Sequence, residues 1–151
     1  MPNATVSFQG KMVFEGISGS GHHVLMDSSP ESGGANQGIR PMETVLVGLG
    51  GCTGMDVVSI LEKMRVATKS FDMEILGKRA EQHPKVYERI TIRYRFSGNL
   101  ADSDKIIRAV TLSQEKYCSV SAMLAKSADI TAEVYINDTL VTTLGEVHDS
   151  G

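Results

Sequence analysis

A single domain mixing short strands with helices is what this 151-residue sequence predicts, on three observations. Apolar and charged residues make up 41% and 22% of the chain, close to globular averages, which sets aside disordered, fibrous and coiled-coil classes. The length suits one core, so residues 1–151 are expected to form one domain. The apolar pattern changes along the chain between a strand period and a helix period, with no internal repeat.

Residues 1–27 hold three short apolar runs, at 5–8, 12–14 and 23–26, punctuated by Gly10, Gly16, Gly19 and Gly21, and predict a β-meander. Residues 28–38 combine turn formers with almost no apolar content and predict a loop. Pro41 suits a first helical position, and the apolar residues that follow it to about Ala67 populate more than one face. A broadly buried central helix is expected there. Strands are predicted at 70–77 and 87–96. In the second, Ile90, Ile92, Tyr94 and Phe96 alternate with Arg89, Thr91, Arg93 and Arg95, and the arginine face reads as solvated sheet surface. His83, Pro84 and Lys85 connect the two. An amphipathic helix is expected over 102–115, a short helix over 120–127, a closing strand over 129–137 and a frayed polar tail over 145–151.

The formal charge of -3 and the lack of a basic cluster argue against a nucleic-acid partner. No unbroken apolar run approaches the ~18 residues needed to cross a bilayer, and the first residues lack the regions of a signal peptide. No membrane partner is therefore expected, and the cytoplasm is the default compartment. His22 and His23 point to opposite faces of a strand, His83 and His148 are isolated, and no Cys-x-x-Cys or His-x3-His spacing exists. With no Walker loop, dinucleotide fingerprint or nucleophile elbow either, neither a metal nor another cofactor is expected.

Chemistry then rests on two cysteines, Cys52 and Cys118. In a reducing compartment they are either buried free thiols or a transient redox pair. Cys52 stands among Gly48, Gly50, Gly51 and Gly54, each costing about 1 kcal/mol of helix propensity. Either another helix backbone packs closely there, or the helix is interrupted and leaves open space before the thiol. Asp56, one turn on, would place a carboxylate about 6 Å from a Cys52 thiolate and disfavour it. A compensating cation is then needed, and Arg40, His22 and His23 are the candidates. For Cys118, Ser119 could cap the following helix and leave the thiol beside its positive end, with Lys116 nearby; a buried structural cysteine would leave the same trace.

The run Pro41-Met42-Glu43-Thr44-Val45-Leu46-Val47-Gly48-Leu49-Gly50-Gly51-Cys52, continued by Asp56-Val57-Val58-Ser59-Ile60-Leu61, resembles the central helix of OsmC/Ohr proteins. Leu112-Ser113-Gln114-Glu115-Lys116-Tyr117-Cys118-Ser119-Val120 is similar to the segment carrying that family's second cysteine, and Ser20-Gly21-His22 and the strand order extend the likeness over nearly the whole chain. It is nearest to the YhfA-like branch. The resemblance implies an α+β fold with an antiparallel sheet wrapped around two central helices, built as an intertwined homodimer. It also implies that Cys52 attacks an organic hydroperoxide and Cys118 resolves the product to a disulfide, which an external dithiol reduces.

The departures concern the supporting residues. In the family's peroxidases a glutamate directly follows the helix-starting proline and works with an arginine from the first strands. Here Met42 holds that place, Glu43 follows, and the first strands contain no arginine. On an unbroken helix, nine steps of about 100° set Glu43 half a turn from Cys52, so Glu43 reads as an acidic complement to the helix N-terminus. Glu43, Arg40 and His23 remain the candidate supporting residues. The alternative to an enzyme is a redox-sensing or small apolar ligand-binding module on the same fold.

Overall fold

Glycine punctuation and β-forming runs in the first residues produce an antiparallel meander of β1 (Ala4–Gly10), β2 (Val13–Ser18) and β3 (His23–Met26), in that spatial order. The structure, a computed structural model, describes residues 2–145. Of the polar tail expected over 145–151, all but Gly145 lies outside the described residues. The chain divides into two compact units, Met1–Val45 and Leu46–Gly151.

In the first unit, Asp27 organises the loop that follows β3. Its buried carboxylate accepts N–H groups from Ser28, Ala35 and Gln37 at 2.7, 3.0 and 3.0 Å. The bond from Gln37, then that from Ser28, holds its carboxyl below the usual carboxylate range. Gly16, Val24 and Met26 meet across β2 and β3, while Val6, Phe8, Met12, Phe14, Val24 and Leu25 keep exposed surface.

The helix predicted from Pro41 is α1 (Pro41–Lys63), unbroken and a few residues shorter than expected, ending where Arg65 takes a left-handed φ of 59°. By length and composition it could cross a bilayer, contrary to the expectation from unbroken apolar runs. Scattered Gly, Ser and Thr interrupt such runs without making a segment polar. Its buried residues include Leu49, Thr53, Val57 and Leu61, which belong to a protein core.

The second unit holds the sheet β4 (Thr68–Arg79), β5 (Tyr87–Gly98), β6 (Asp129–Ile136) and β7 (Thr139–Leu144), in that order. The fold is α+β, but the sheet is not purely antiparallel: β5 and β6 run parallel. The reason is the crossover between them, which carries α2 (Ser103–Leu112) and α3 (Ser119–Leu124). Strand β7 was not foreseen. Ile136 pairs with Thr139 around Asn137 and Asp138, both at positive φ (50° and 67°), the conformation of a tight two-residue hairpin.

The period-two pattern of β5 has the predicted outcome. Ile90, Ile92, Tyr94 and Phe96 are buried with Val134 and Ile136 of β6, Leu49, Val57 and Leu61 of α1, and Ile106, Ala109 and Val110 of α2. On the other face Arg93 pairs with Glu133 at 3.0 Å and Arg95 pairs with Glu74 while lying over the Tyr135 ring. Those arginines are occupied by their own sheet.

The glycines of α1 divide by face. A Cβ on Gly50 would meet Ile75 Cδ1 at 2.7 Å, and one on Gly54 would meet Met73 Cε at 2.7 Å, whereas Gly48 and Gly51 face open space. Close packing is thus the role of the first pair, against β4 side chains and not against another helix. The helix is not interrupted.

Candidate active site

The two cysteines converge within the second unit. The Sγ atoms of Cys52 and Cys118 and a carboxylate oxygen of Asp56 all lie within 4.8 Å of one another. Cys52 is half-buried on α1 and Cys118 is buried, and both are free thiols. Helical geometry puts Cys52 and Asp56 one turn apart on the same face. Long-range folding brings in the third member.

Cys118 is delivered by an irregular turn. After Leu112 the helix expected over 102–115 widens into a π-helical turn, Ser113–Tyr117, closed by the Cys118 N–H donating to the Ser113 carbonyl at 2.8 Å. Cys118, and not Ser119 as anticipated, is the N-cap of α3, its sulfur accepting the Ser121 N–H at 3.4 Å. Lys116 lies over the Tyr117 ring. Of the two alternatives the sequence leaves open at Cys118, a favoured thiolate and a buried cysteine, the second holds: burial pushes the thiol up despite its bonds to Ser121, and the neighbouring Cys52 pushes the same way.

Behind the sulfurs runs a polar chain that sequence reading missed. The Ser113 hydroxyl donates to Asp56 at 3.1 Å. With that proton committed, the 2.7 Å contact between Ser113 and Thr53 has Thr53 as donor, and the 2.6 Å contact between Thr53 and Tyr94 has Tyr94 as donor. Gln114 Nε2 donates to Tyr94 Oη at 2.6 Å and to Thr53 at 3.2 Å, and its Oε1 accepts the Ser121 hydroxyl at 2.9 Å. One directional chain therefore links the helix that caps on Cys118 to the Asp56 carboxylate. Among the described residues no buried side-chain polar atom lacks a partner. A sequence signal existed: Thr53 interrupts the apolar face of α1, and Tyr94 carries a hydroxyl on the inward face of β5, each needing a buried partner.

Burial pushes the Tyr94 phenol up to about 12, against the lowering effect of its bonds to Thr53 and Gln114. Because this pKa is raised on folding, the stabilisation is fully present below pH 10 and is lost as pH rises through about 12. The loss should total about 2–3 kcal/mol. In Tyr94→Phe that alkaline loss should disappear, and urea unfolding at pH 7 should show a destabilisation of about 1–2 kcal/mol from the broken chain. An unchanged alkaline profile in the variant would remove Tyr94 as its source.

The candidate supporting residues belong to the first unit and have local partners there. Arg40 donates its N–H to the Glu43 carboxylate at 2.8 Å, and its carbonyl accepts the Thr44 N–H, which makes Glu43 the reaching-back acid of a helix start. The Arg40 guanidinium donates to Asn36 and to the Gly38 carbonyl. His23 lies 3.4 Å from Glu15. Since α1 is unbroken, the condition that sets Glu43 half a turn from Cys52 on that helix is met.

A mixed α+β chain with two convergent thiols at a helix turn defines a class, and comparison with known proteins gives its family. A family model described as OsmC-like protein matches residues 33–133. The chain belongs to the OsmC-like family. It is 38% identical over 128 residues to Protein YhfA of Escherichia coli K12, covering 85% of this chain and 92% of that one. Among solved structures it is similar to a hypothetical protein from Aquifex aeolicus VF5, at 34% identity and a TM-score of 0.75, covering 91% of this chain and 98% of that one. It shares its fold with an organic hydroperoxide resistance protein OsmC from Legionella pneumophila, at 13% identity and a TM-score of 0.66, covering 87% of this chain and 94% of that one.

Proposed function

We propose that the protein reduces organic hydroperoxides through Cys52 and Cys118. The observation that carries this reading is the approach of the two sulfurs to within 4.8 Å. The name of the Legionella protein supports the substrate class. Burial pushes the Cys118 thiol up and hides its sulfur, so the first attack falls to the half-buried Cys52.

The Cys52 thiolate attacks the terminal oxygen of ROOH. The O–O bond breaks, the alcohol departs with a proton, and Cys52 becomes a sulfenic acid. The Cys118 sulfur then displaces hydroxide from it, forming a disulfide and water, for which the sulfurs close to about 2.05 Å. Two electrons from an external dithiol restore both thiols. Cumene hydroperoxide with a dithiol reductant tests the reading: catalytic consumption at micromolar protein is expected, and a rate equal to the protein-free background would overturn it.

A second reading, a redox-sensing or apolar ligand-binding module, is favoured by the engagement of Glu43 at the start of α1. Slow or absent turnover with stoichiometric oxidation of Cys52 would select it.

The working unit on this proposal is a cytoplasmic homodimer. Val47, Met55 and Val58 of α1 are 63%, 77% and 53% exposed, an apolar cost that a second copy would relieve. Light scattering at micromolar concentration should give twice the chain mass, and a monodisperse monomer would rule the dimer out.

A further inference from the structure

We propose that the reduced protein binds one zinc ion per chain between Cys52, Asp56 and Cys118. The absence of short metal motifs pointed away from metal. The cluster escapes that reading because it uses one helical turn, Cys52 to Asp56, and a third ligand 62 residues further on, from Asp56 to Cys118.

The geometry is that of a site needing small adjustment. Zinc sits about 2.3 Å from thiolate sulfur and about 2.0–2.2 Å from carboxylate oxygen, so the ligand atoms of a tetrahedral site are separated by roughly 3.5–3.8 Å. The three atoms here lie within 4.8 Å of one another before any ion is bound, and contraction by at most about 1.0–1.3 Å completes the set. Two of the ligands are already oriented by donors. Asp56 is held by the Ser113 hydroxyl, and the Cys118 sulfur by the Ser121 N–H.

The donor set selects the ion. Two thiolates favour zinc over magnesium or calcium, which prefer oxygen ligands. On binding, the two thiols release their protons to solvent, and two thiolates with one carboxylate balance the dication to a net charge of -1. Three protein ligands leave a fourth position for water or a small exogenous thiol. No electron is transferred. The sulfur lone pairs that would attack a hydroperoxide are engaged by the metal, so zinc holds the pair in an unreactive, reversibly stored form. Only that consequence rests on the proposed peroxide chemistry; the site itself does not.

Cobalt(II) is the probe, added without oxygen to full-length protein reduced by a phosphine. One equivalent per chain should produce a sulfur-to-cobalt charge-transfer band in the near ultraviolet, which zinc then bleaches. Asp56→Asn should weaken binding by about 10- to 100-fold, and Ser113→Ala, which leaves all three ligands in place, by about tenfold. Cys118→Ser should lose most of the band, and prior oxidation of the wild type with diamide should abolish it. Far-ultraviolet dichroism establishes that each variant is folded, and Ser113→Ala decides the matter if Asp56→Asn is not. No band in the wild type would overturn the proposal. So would a band that Cys118→Ser, Asp56→Asn and Ser113→Ala leave unchanged, since cobalt would then sit elsewhere. Hydroperoxide consumption by the same metal-free preparation separates the two readings: a band without consumption retains the zinc site and removes the peroxidase, and consumption without a band does the reverse.

Discussion

Replacing Cys52 by serine is expected to reduce hydroperoxide consumption by roughly three to six orders of magnitude, the scale on which removing a covalent nucleophile acts. Serine keeps the size of the side chain but cannot form a sulfenic acid. The fold should survive, because Cys52 is only half-buried and the polar chain behind it runs through Thr53, Ser113, Tyr94 and Gln114. Urea unfolding should stay within about 0.5 kcal/mol of the wild type, the usual reach of a substitution that breaks no buried contact. Activity retained in Cys52→Ser would remove this thiol from the mechanism. A variant that fails to fold would instead make Cys52 a structural residue.

Much of the architecture was legible because local chemistry and tertiary context agree. The alternation from Ile90 to Phe96 names the buried face of β5, and Pro41 marks the start of α1. Strand β7 was missed because Thr139–Leu144 carries no clean alternation, and its evidence lies in the turn, where Asn137 and Asp138 accept positive φ. The parallel pairing of β5 with β6 is a property of the connection, which local periodicity does not encode.

The site was legible in its reactive atoms and not in their surroundings. Cys52 and Cys118 could be named from the sequence and the family likeness, yet neither spacing nor composition fixes how far apart two side chains 66 positions apart come to lie. The sequence leaves the environment of Cys118 open because helix-end and lysine effects can be read from neighbours in sequence, whereas burial depends on the whole unit. Desolvation is the larger effect. Asp56 was read as a hindrance to a thiolate on its own helix. With the Ser113 hydroxyl on it and both sulfurs near it, it is one member of a three-atom cluster.

Cys118→Ser should change the product of oxidation without preventing the first attack. A serine at this position still offers an oxygen to the Ser121 N–H, a better cap than sulfur, so α3 keeps its start. In the wild type, one equivalent of hydroperoxide should remove both free thiols and give an intramolecular disulfide, with no covalent dimer on a non-reducing gel. In the variant, Cys52 should stop at sulfenic acid, trapped by dimedone, and excess peroxide should carry it irreversibly to sulfinic acid because no second thiol intercepts it. Steady-state turnover should collapse with it, while the first oxidation of Cys52 proceeds at nearly the wild-type rate. Wild-type protein in which Cys52 is oxidised and Cys118 remains a thiol would show that the 4.8 Å approach is not productive. Inertness of both thiols over minutes would move the protein to the sensing or ligand-binding reading.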